Sequence, residues 1–375
     1  MAIGTPIEPL TQISPTPART DRTAQTARKP RKKLVRRVGR DHSQRLRHGF
    51  QIAFLLLNVW IGAEFYLWVR GFETGSPVSF SRPGGIDGWL PISGLMNLKE
   101  WLLTRHIPSI HPAAMFLLLA FLGIAFLLRK AFCSWLCPVG TLSEALWRVG
   151  RKLFQGNVAL PRWLDPPMRS LKYLLLGFFA SAVAIMPVPS IRSFMHAPFG
   201  LIADVKLLNF FRFIGVTGLI VLGVLVLGSL LMKNFWCRYL CPYGGLLGLV
   251  SLFSPTGIRR KEERCIDCGK CARACPSHLP VDKLVTVHSV ECTACFECVA
   301  VCPAEDALAL SIAQLPGVKR APRRLPAWAV AVAIAAIFLG IVGYAKFSGH
   351  WQTNVPQAVY QQIVPYANEA THPMP

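Results

Sequence analysis

The chain has 375 residues, of which 52% are hydrophobic and only 16% are charged. Soluble domains carry about 25% charged residues, so this composition disfavours a soluble protein. The formal net charge is +22, but much of the basic excess lies outside the apolar segments and no nucleic-acid-binding motif accompanies it. The charge therefore indicates membrane topology or lipid contact, and we expect no nucleic acid partner.

Residues 1–48 form the first predicted unit, a disordered basic cytoplasmic tail. It is rich in Pro, Thr, Arg and Lys and has too few apolar residues to build a core. The Arg36–Arg37 pair resembles a twin-arginine export signal. We reject export by that route, because a long apolar stretch follows without an A-x-A-type cleavage site.

Five apolar segments follow the tail, and a bilayer takes about 20 residues to cross. They lie at about 50–69, 113–129, 172–188, 213–232 and 326–345. The second and third are short, but nothing else in the chain could cover them as buried helices of a soluble protein. The predicted fold class is therefore mostly α: a polytopic helical membrane protein with about five spans.

Positive charge predicts the orientation of these spans. The tail and the loops at about 130–171 and 233–325 are basic, whereas the loops at about 70–112 and 189–212 have few cations. Basic loops stay in the cytoplasm. We therefore expect a multi-pass protein of the bacterial cytoplasmic (inner) membrane, with the tail and the cysteine-rich region at 259–315 in the cytoplasm.

An internal repeat lies at the cytoplasmic ends of two spans. The sequence FCSWLCPVG at 132–140 matches WCRYLCPYG at 236–244, which indicates a duplicated unit of two spans and one C-x-x-x-C-P motif. Cysteines four apart on a helix share one face, so both pairs together could offer four thiolates for another Fe–S cluster. Redox-active dithiols, a soft metal such as copper and inert structural cysteines stay open as alternatives. The four candidate metal ligands are Cys133, Cys137, Cys237 and Cys241.

Two complete C-x-x-C-x-x-C-x-x-x-C-P runs follow the second repeat. In this spacing three thiolates hold three corners of a [4Fe–4S] cubane and the fourth reaches the neighbouring cluster. Zinc needs only four ligands, so eight cysteines in two such runs disfavour it. We predict an α+β ferredoxin domain with two clusters. One is assigned to Cys265, Cys268, Cys271 and Cys302 and the other to Cys292, Cys295, Cys298 and Cys275.

These segments divide the chain into five predicted units. After the tail come a four-span membrane domain at 49–258, the ferredoxin domain at 259–315, a fifth span at 316–345 and a periplasmic tail at 346–375. His106, His111 and His196 lie near outer span ends, where each could accept a proton from a quinol. A histidine that simply faces water is the simpler interpretation of each.

The twelve cysteines together give the chain a resemblance to a known family. The paired C-x-x-x-C-P motifs followed by the double ferredoxin motif, over about residues 50–312, resemble the membrane polyferredoxins typified by NapH, YccM and the C-terminal half of NosR. The resemblance implies electron transfer between the quinone pool or a cytoplasmic donor and a respiratory or maturation partner, with quinol as a possible substrate and the catalytic residues unknown. Two departures leave the partner unassigned: no flavin-attachment motif is present, and an extra span follows the ferredoxin motif.

We therefore expect a membrane-bound iron–sulfur electron-transfer protein, in which a quinol-oxidising enzyme component is possible. The alternative is a metal-handling protein, which would use the paired C-x-x-x-C-P thiols to reduce copper or a disulfide.

Overall fold

The computed structural model describes residues 35–37, 39, 41–76, 80–161, 163–312 and 323–371. Most of the predicted tail at 1–48 and the last residues of the predicted periplasmic tail lie outside the described residues. The described part is mostly helical, as the sequence predicts, with one small sheet beside the helices.

The elements are these in chain order. The α-helices are α1 (Ser43–Thr74), α2 (Pro91–Thr104), α3 (Pro112–Leu128), α4 (Phe132–Trp135), α5 (Pro138–Leu153), α6 (Asp165–Ile185), α7 (Val188–His196), α8 (Pro198–Leu201), α9 (Ala203–Arg212), α10 (Val216–Leu231), α11 (Pro242–Val250), α12 (Lys270–Ala274), α13 (Glu297–Ala300), α14 (Ala327–Phe347) and α15 (Gln357–Ile363). Tighter 3₁₀ turns occupy Gly84–Trp89 and Ser251–Phe253, and a π-helical turn occupies Trp236–Leu240. The strands are β1 (Thr256–Arg260), β2 (Thr286–Val287), β3 (Leu308–Ile312) and β4 (Arg324–Leu325).

Three helices within the described ranges are long and apolar enough to cross a membrane. They are α1, α6 and α14, and they contain or overlap the predicted segments at 50–69, 172–188 and 326–345. The segment at 213–232 forms α10, which joins α9 at a bend of 82°. If that bent pair is one span, the number becomes four. The predicted number of about five spans stays a prediction.

The segment at 113–129 forms the centre of the bundle. Helix α3 is apolar but only 17 residues long, and most of its side chains are buried against α2, α11 and α14. The Phe121 ring stacks on Phe132 at a centroid distance of 3.9 Å and packs against Phe338 of α14. Because α3 is apolar all round, it suits a position surrounded by other helices.

The sheet belongs to the cysteine-rich region and has the order β2-β1-β3-β4, with antiparallel neighbours. β1 begins at Thr256, just ahead of the predicted domain boundary at 259. Buried Arg129, which follows α3, ties this sheet to the helices, since its guanidinium donates to Ser251 O at 3.0 Å and to Val287 O at 2.8 Å.

The chain just before α1 is also fastened to the cysteine-rich region. Arg36 forms an isolated β-bridge with Ala304, and Arg37 N donates to Pro303 O at 3.1 Å. The Arg37 guanidinium donates to Val299 O at 3.2 Å. Arg129 on one side and the segment before α1 on the other therefore attach the region with the two ferredoxin-type runs to the helices. This region is not a separate domain on a linker.

A buried cluster of charged side chains lies at the end of the helix bundle opposite the cysteine-rich region. Arg82 donates from Nε to Asp204 at 2.7 Å and also pairs with Asp87. His111 Nδ1 lies 2.9 Å from Asp87 Oδ1, and His111 Nε2 lies 3.0 Å from Gly200 O. His111 is fully buried, so the interpretation that it faces water is wrong, whereas His106 and His196 are exposed.

Candidate iron–sulfur centres

The first group of ferredoxin-type cysteines lines one cavity at the far end of the cysteine-rich region. Its sulfur-bearing residues are Cys265, Cys268, Cys271 and Cys302. Cys265 and Cys268 lie on the loop that leads into α12, Cys271 lies in its first turn, and Cys302 follows α13. The structure thus brings Cys302 of the second run to the first run, which is the crossed arrangement that the spacing predicts.

The second group lines a neighbouring cavity nearer the helices, and its members are Cys275, Cys292, Cys295 and Cys298. All but Cys295 are buried, and burial raises the pKa of the Cys275 and Cys292 thiols. Cys271 and Cys298 lie close enough for their charges to interact, which places the two groups side by side.

The spacing of the sulfur atoms fits a cluster better than a single ion. A tetrahedral zinc ion with Zn–S bonds of about 2.3 Å requires sulfur atoms about 4 Å apart. Among the described residues, no three cysteines bring their sulfur atoms within 4.8 Å of one another. Four thiols around one cavity, but farther apart than one ion requires, match the wider cubane.

The C-x-x-x-C-P motifs do not form one continuous helix, so the expectation that each pair shares a helix face is wrong. Helix α4 ends at Trp135, and Cys137 takes the non-helical N-cap position of α5. Cys241 takes the same position before α11. Proline suits the first helical residue, where no N–H bond is needed. Each Cys-Pro therefore starts a new helix.

The capping cysteines receive backbone hydrogen bonds on sulfur. Gly140 N donates to Cys137 Sγ at 3.4 Å, and Gly244 N donates to Cys241 Sγ at 3.2 Å. A thiolate at a helix N-terminus is favoured by such donors and by the helix dipole. The two halves of the repeat thus present one thiol each in the same local geometry.

The repeat brings all four of these cysteines together. Cys133 interacts electrostatically with Cys137 and Cys241, and Cys237 interacts with all three. Burial raises the pKa of Cys137 to about 11 and holds that of Cys237 well above its ordinary range. Reactive dithiols have a low pKa, so these half-buried thiols, whose pKa values are raised, disfavour a dithiol reductase and favour ligands ionised by a bound metal.

Two buried lysines lie between this group and the second ferredoxin group. Lys130 and Lys172 both face Glu291, with Lys130 Nζ at 3.5 Å from Glu291 Oε2 and Lys172 in closer contact. Burial opposes the charge of Lys130, but Glu291 and the thiols of Cys133 and Cys237 raise its pKa. Two cations therefore face one carboxylate, next to four thiols that could carry negative charge.

A second ion-pair network closes the junction between α1, α5 and α13. Buried Arg47 donates to both carboxylate oxygens of Glu144 at 2.7 Å and to Glu297 at 3.1 Å. Arg148 reaches the same two glutamates, and the pKa of Glu144 is held well below its usual range despite burial. Gln44 donates to Cys295 O at 2.9 Å.

These charged residues are absent from the predicted site, although two sequence signals point to them. Lys172 opens a predicted apolar segment, where a charge is costly and usually has a specific partner. Glu291 directly precedes the ligand candidate Cys292. Neither signal indicates which residue is the partner, because Lys172 and Glu291 lie 119 positions apart in the sequence.

A further group, Asp87, His111 and Asp204, also has the ligand atoms for an ion within 4.8 Å. The Arg82 guanidinium lies among them and supplies the positive charge. The structure therefore favours a salt-bridge cluster there.

Comparison with known proteins relates both cysteine regions to iron–sulfur families. A family model described as a 4Fe-4S binding domain matches residues 110–156 and 214–261, and one described as a 4Fe-4S dicluster domain matches residues 259–310. The chain is similar to the putative electron transport protein YccM of Escherichia coli, with 50% identity over 87% of this chain and 91% of YccM. It is also similar to the ferredoxin-type protein NapH of Haemophilus influenzae, with 27% identity over 64% of this chain and 80% of NapH. The methylamine utilization ferredoxin-type protein MauN of Methylorubrum extorquens is 30% identical over 51% of this chain and 62% of MauN.

No solved structure matches the chain. The family matches and the clustered cysteines establish two [4Fe–4S] clusters, membrane helices and an electron-transport role.

Proposed function

Because the chain belongs to the family of NapH- and YccM-like 4Fe–4S membrane proteins, we propose that it is a linear electron relay. The relay joins the quinone pool, or a cytoplasmic donor, to a respiratory or maturation partner protein. The two ferredoxin clusters are bound by the cysteine groups that line the two cavities described above. A third cluster is bound by Cys133, Cys137, Cys237 and Cys241.

One observation carries this proposal: Cys295 lines two cavities. It shares one with Cys275, Cys292 and Cys298, and it shares the other with Cys133 and Cys237 of the repeat. The three cysteine groups are therefore arranged in sequence, from the solvent end of the ferredoxin region to the ends of the membrane helices. A cluster in each group forms a continuous path for single electrons.

The charges around the repeat support the third cluster. A cubane with four thiolate ligands is an anion, and burying an anion requires compensating charge. Lys130 acts on Cys133 and Cys237, and Lys172 acts on Cys241 together with Lys130. Among the described residues, Glu291 is the carboxylate that pairs with the two lysines. The family model for 4Fe-4S binding also covers both copies of the repeat.

The proposed orientation follows the charge pattern. Both copies of the repeat, the ferredoxin region and the basic tail lie in the cytoplasm, and the residues after α14 lie in the periplasm. About five spans result if α3 and the bent pair α9–α10 each count as one.

Iron and sulfide analysis with EPR on the purified full-length protein tests the third cluster. Three clusters give about twelve irons per chain, and two give about eight. Replacing Cys133 and Cys241 by Ser lowers the iron content to about eight and leaves the ferredoxin signals in place. A wild-type content of about eight irons, or bound copper or zinc at the repeat, contradicts the third cluster and favours the metal-handling alternative.

Quinone chemistry tests the membrane end of the relay. The clusters, reduced with dithionite and then freed of it, should be reoxidised by a short-chain quinone, which takes two electrons and two protons to form quinol. If quinone does not reoxidise the clusters and quinol does not reduce them, the relay has a protein donor in the cytoplasm instead.

A further inference from the structure

Three consecutive carbonyls of the second ferredoxin-type run accept hydrogen bonds from side chains of the helical part of the protein. The three contacts, each from a side-chain donor to a backbone oxygen, are Ser134 Oγ to Thr293 O at 2.6 Å, Trp135 Nε1 to Ala294 O at 3.1 Å and Gln44 Nε2 to Cys295 O at 2.9 Å. We call residues 293–295 the junction loop. The loop directly follows Cys292 and ends at Cys295, and both cysteines are ligand candidates for the cluster in the second ferredoxin group, here called the inner cluster.

Two of these donors lie inside the first C-x-x-x-C-P motif. Ser134 and Trp135 directly follow Cys133 and precede Cys137. Both cysteines are ligand candidates of the proposed third cluster, which we call the membrane cluster. One short segment therefore carries ligands of the membrane cluster and also holds the ligand loop of the inner cluster.

Buried contacts fix this junction. The Trp135 side chain is fully buried and packs edge-on against the Phe296 ring at a centroid distance of 6.2 Å. Arg47 and Gln51 of α1 donate to Ser134 O at 3.2 and 3.0 Å. Hydrogen bonds away from water are electrostatically stronger than exposed ones. The two ligand segments are therefore held in one arrangement relative to each other.

The second copy of the repeat uses the same two positions differently. Arg238 and Tyr239 are the residues equivalent to Ser134 and Trp135. Arg238 donates to both oxygens of Asp165 at 2.8 and 2.9 Å, and the Tyr239 hydroxyl donates to the same carboxylate at 2.8 Å. The first copy therefore binds the ferredoxin region, whereas the second copy binds the start of α6.

We infer that Ser134 and Trp135 form the bridge by which single electrons pass between the inner cluster and the membrane cluster. The route runs from the ligands of the inner cluster through the peptide groups of the junction loop and the two hydrogen bonds to the backbone that carries Cys133. Electrons tunnel more readily along covalent and hydrogen bonds than across a gap. In each transfer one cluster loses the electron that the other gains, so no proton or further reactant is needed. The inference rests on the proposed function, since it requires the third cluster.

Two conservative substitutions remove the bridging hydrogen bonds, and the chain offers a matched control for each. The bridge variant combines Ser134→Ala, which removes one hydroxyl, with Trp135→Phe, which removes the indole N–H and keeps an aromatic ring. The control variant combines Ser143→Ala with Trp147→Phe in α5. Both control residues are buried, and neither Ser143 Oγ nor Trp147 Nε1 has a hydrogen-bond partner within the part of the chain that the structure describes. Both variants keep every cysteine and should keep about twelve irons per chain.

EPR on the full-length protein tests the bridge. The spectrum of the fully reduced protein reports the magnetic interaction between neighbouring clusters, and freeze-quench EPR during reduction by dithionite reports when each cluster receives its electron. A Cys133→Ser, Cys241→Ser protein provides the reference spectrum without the membrane cluster. We expect the bridge variant to lose the interaction that distinguishes wild type from this reference, and its membrane cluster to be reduced later than in wild type. The control variant should match wild type, and the midpoint potentials of all clusters should be equal in the two variants.

The possible results separate the bridge from the relay itself. An unchanged interaction and an unchanged time course in the bridge variant overturn the bridge and leave the relay intact. A time course that changes only together with a midpoint potential also overturns it, because the two residues then tune a cluster instead of connecting two. If the bridge variant loses iron, the same comparison on Ser134→Ala alone decides, since that change deletes a single hydroxyl. A wild type with about eight irons and the spectrum of the reference contradicts the third cluster, and with it the proposed function.

Discussion

The repeat offers a matched pair of glycines for testing how the membrane cluster is held. Gly140 and Gly244 occupy equivalent positions, two residues after each Cys-Pro dipeptide. A Cβ on Gly140 would lie 2.2 Å from the carbonyl oxygen of Cys133. A Cβ on Gly244 would lie 3.6 Å from the Cys237 carbonyl oxygen and from Cys241 Sγ, which is ordinary contact.

The two alanine substitutions should therefore have opposite effects. In Gly140→Ala the Cys133 backbone has to retreat by about 1 Å to reach a normal contact, at a cost of about 1–3 kcal/mol. That movement carries the Cys133 thiol away from its three partners. In Gly244→Ala no such movement is needed, and alanine is favoured over glycine in a helix by about 1 kcal/mol.

Iron content and EPR of the two full-length variants provide the measurement. We expect Gly140→Ala to fall from about twelve to about eight irons per chain, because only the membrane cluster is lost. Gly244→Ala should keep about twelve. Retention of all clusters in Gly140→Ala, or a selective loss in Gly244→Ala, would refute the reasoning that the Cys133 carbonyl fixes the ligand position.

Three further predictions concern charge and packing. Lys172→Met should lower the midpoint potential of the membrane cluster by about 40 mV in an EPR redox titration. The reason is that the reduced cluster is more negative and loses an interaction of about 1 kcal/mol with the lysine. The midpoint potential of the distant cluster at Cys265 should stay unchanged. Glu144 has a folded-state pKa below the ordinary 4.5, so its stabilising effect is present above about pH 4.5 and lost as the pH falls further. Thermal unfolding should show this loss in wild type, whereas Glu144→Gln, which leaves Arg47 buried without its main partner, should be destabilised by about 3–5 kcal/mol already at pH 7. Gly150→Ala should lower thermal stability, because its Cβ would lie 1.7 Å from Leu230 O, while Gly177→Ala, with nothing within 4 Å, should not.

Local spacing made the ferredoxin groups predictable from sequence. Three of the four ligands in each run lie within seven residues, so the motif itself specifies the crossed arrangement that the cavities display. The repeat was predictable for the same reason, since a duplicated motif implies a duplicated local structure. The N-cap geometry could also be read in hindsight from Cys-Pro, because proline favours the first helical position.

Contacts between distant parts of the chain were not predictable. Helix α3 is as apolar as the longer helices at the edge of the bundle, and only packing shows that α3 is surrounded by other helices. The apolar segment at 213–232 predicts a span, but nothing in it indicates the helix α9 that precedes it at a bend of 82°. His111 carries no sequence signal for burial, because its partners Asp87, in a 3₁₀ turn, and Gly200, in α8, lie far from it in the sequence.

The contact between Arg37 and Val299 joins residues 262 positions apart, and this separation dictates an order of events during biosynthesis. When the ribosome completes Cys302, α1 has long since left the exit tunnel, and Arg47 at its start has Glu144 as a partner well before Glu297 appears. The ferredoxin region therefore meets α1 and α5, which precede it in the chain, whereas α14, which packs on α3, is synthesised after it. Because Cys298 is buried beside this junction, we expect a cluster to enter more readily before the junction forms than after it.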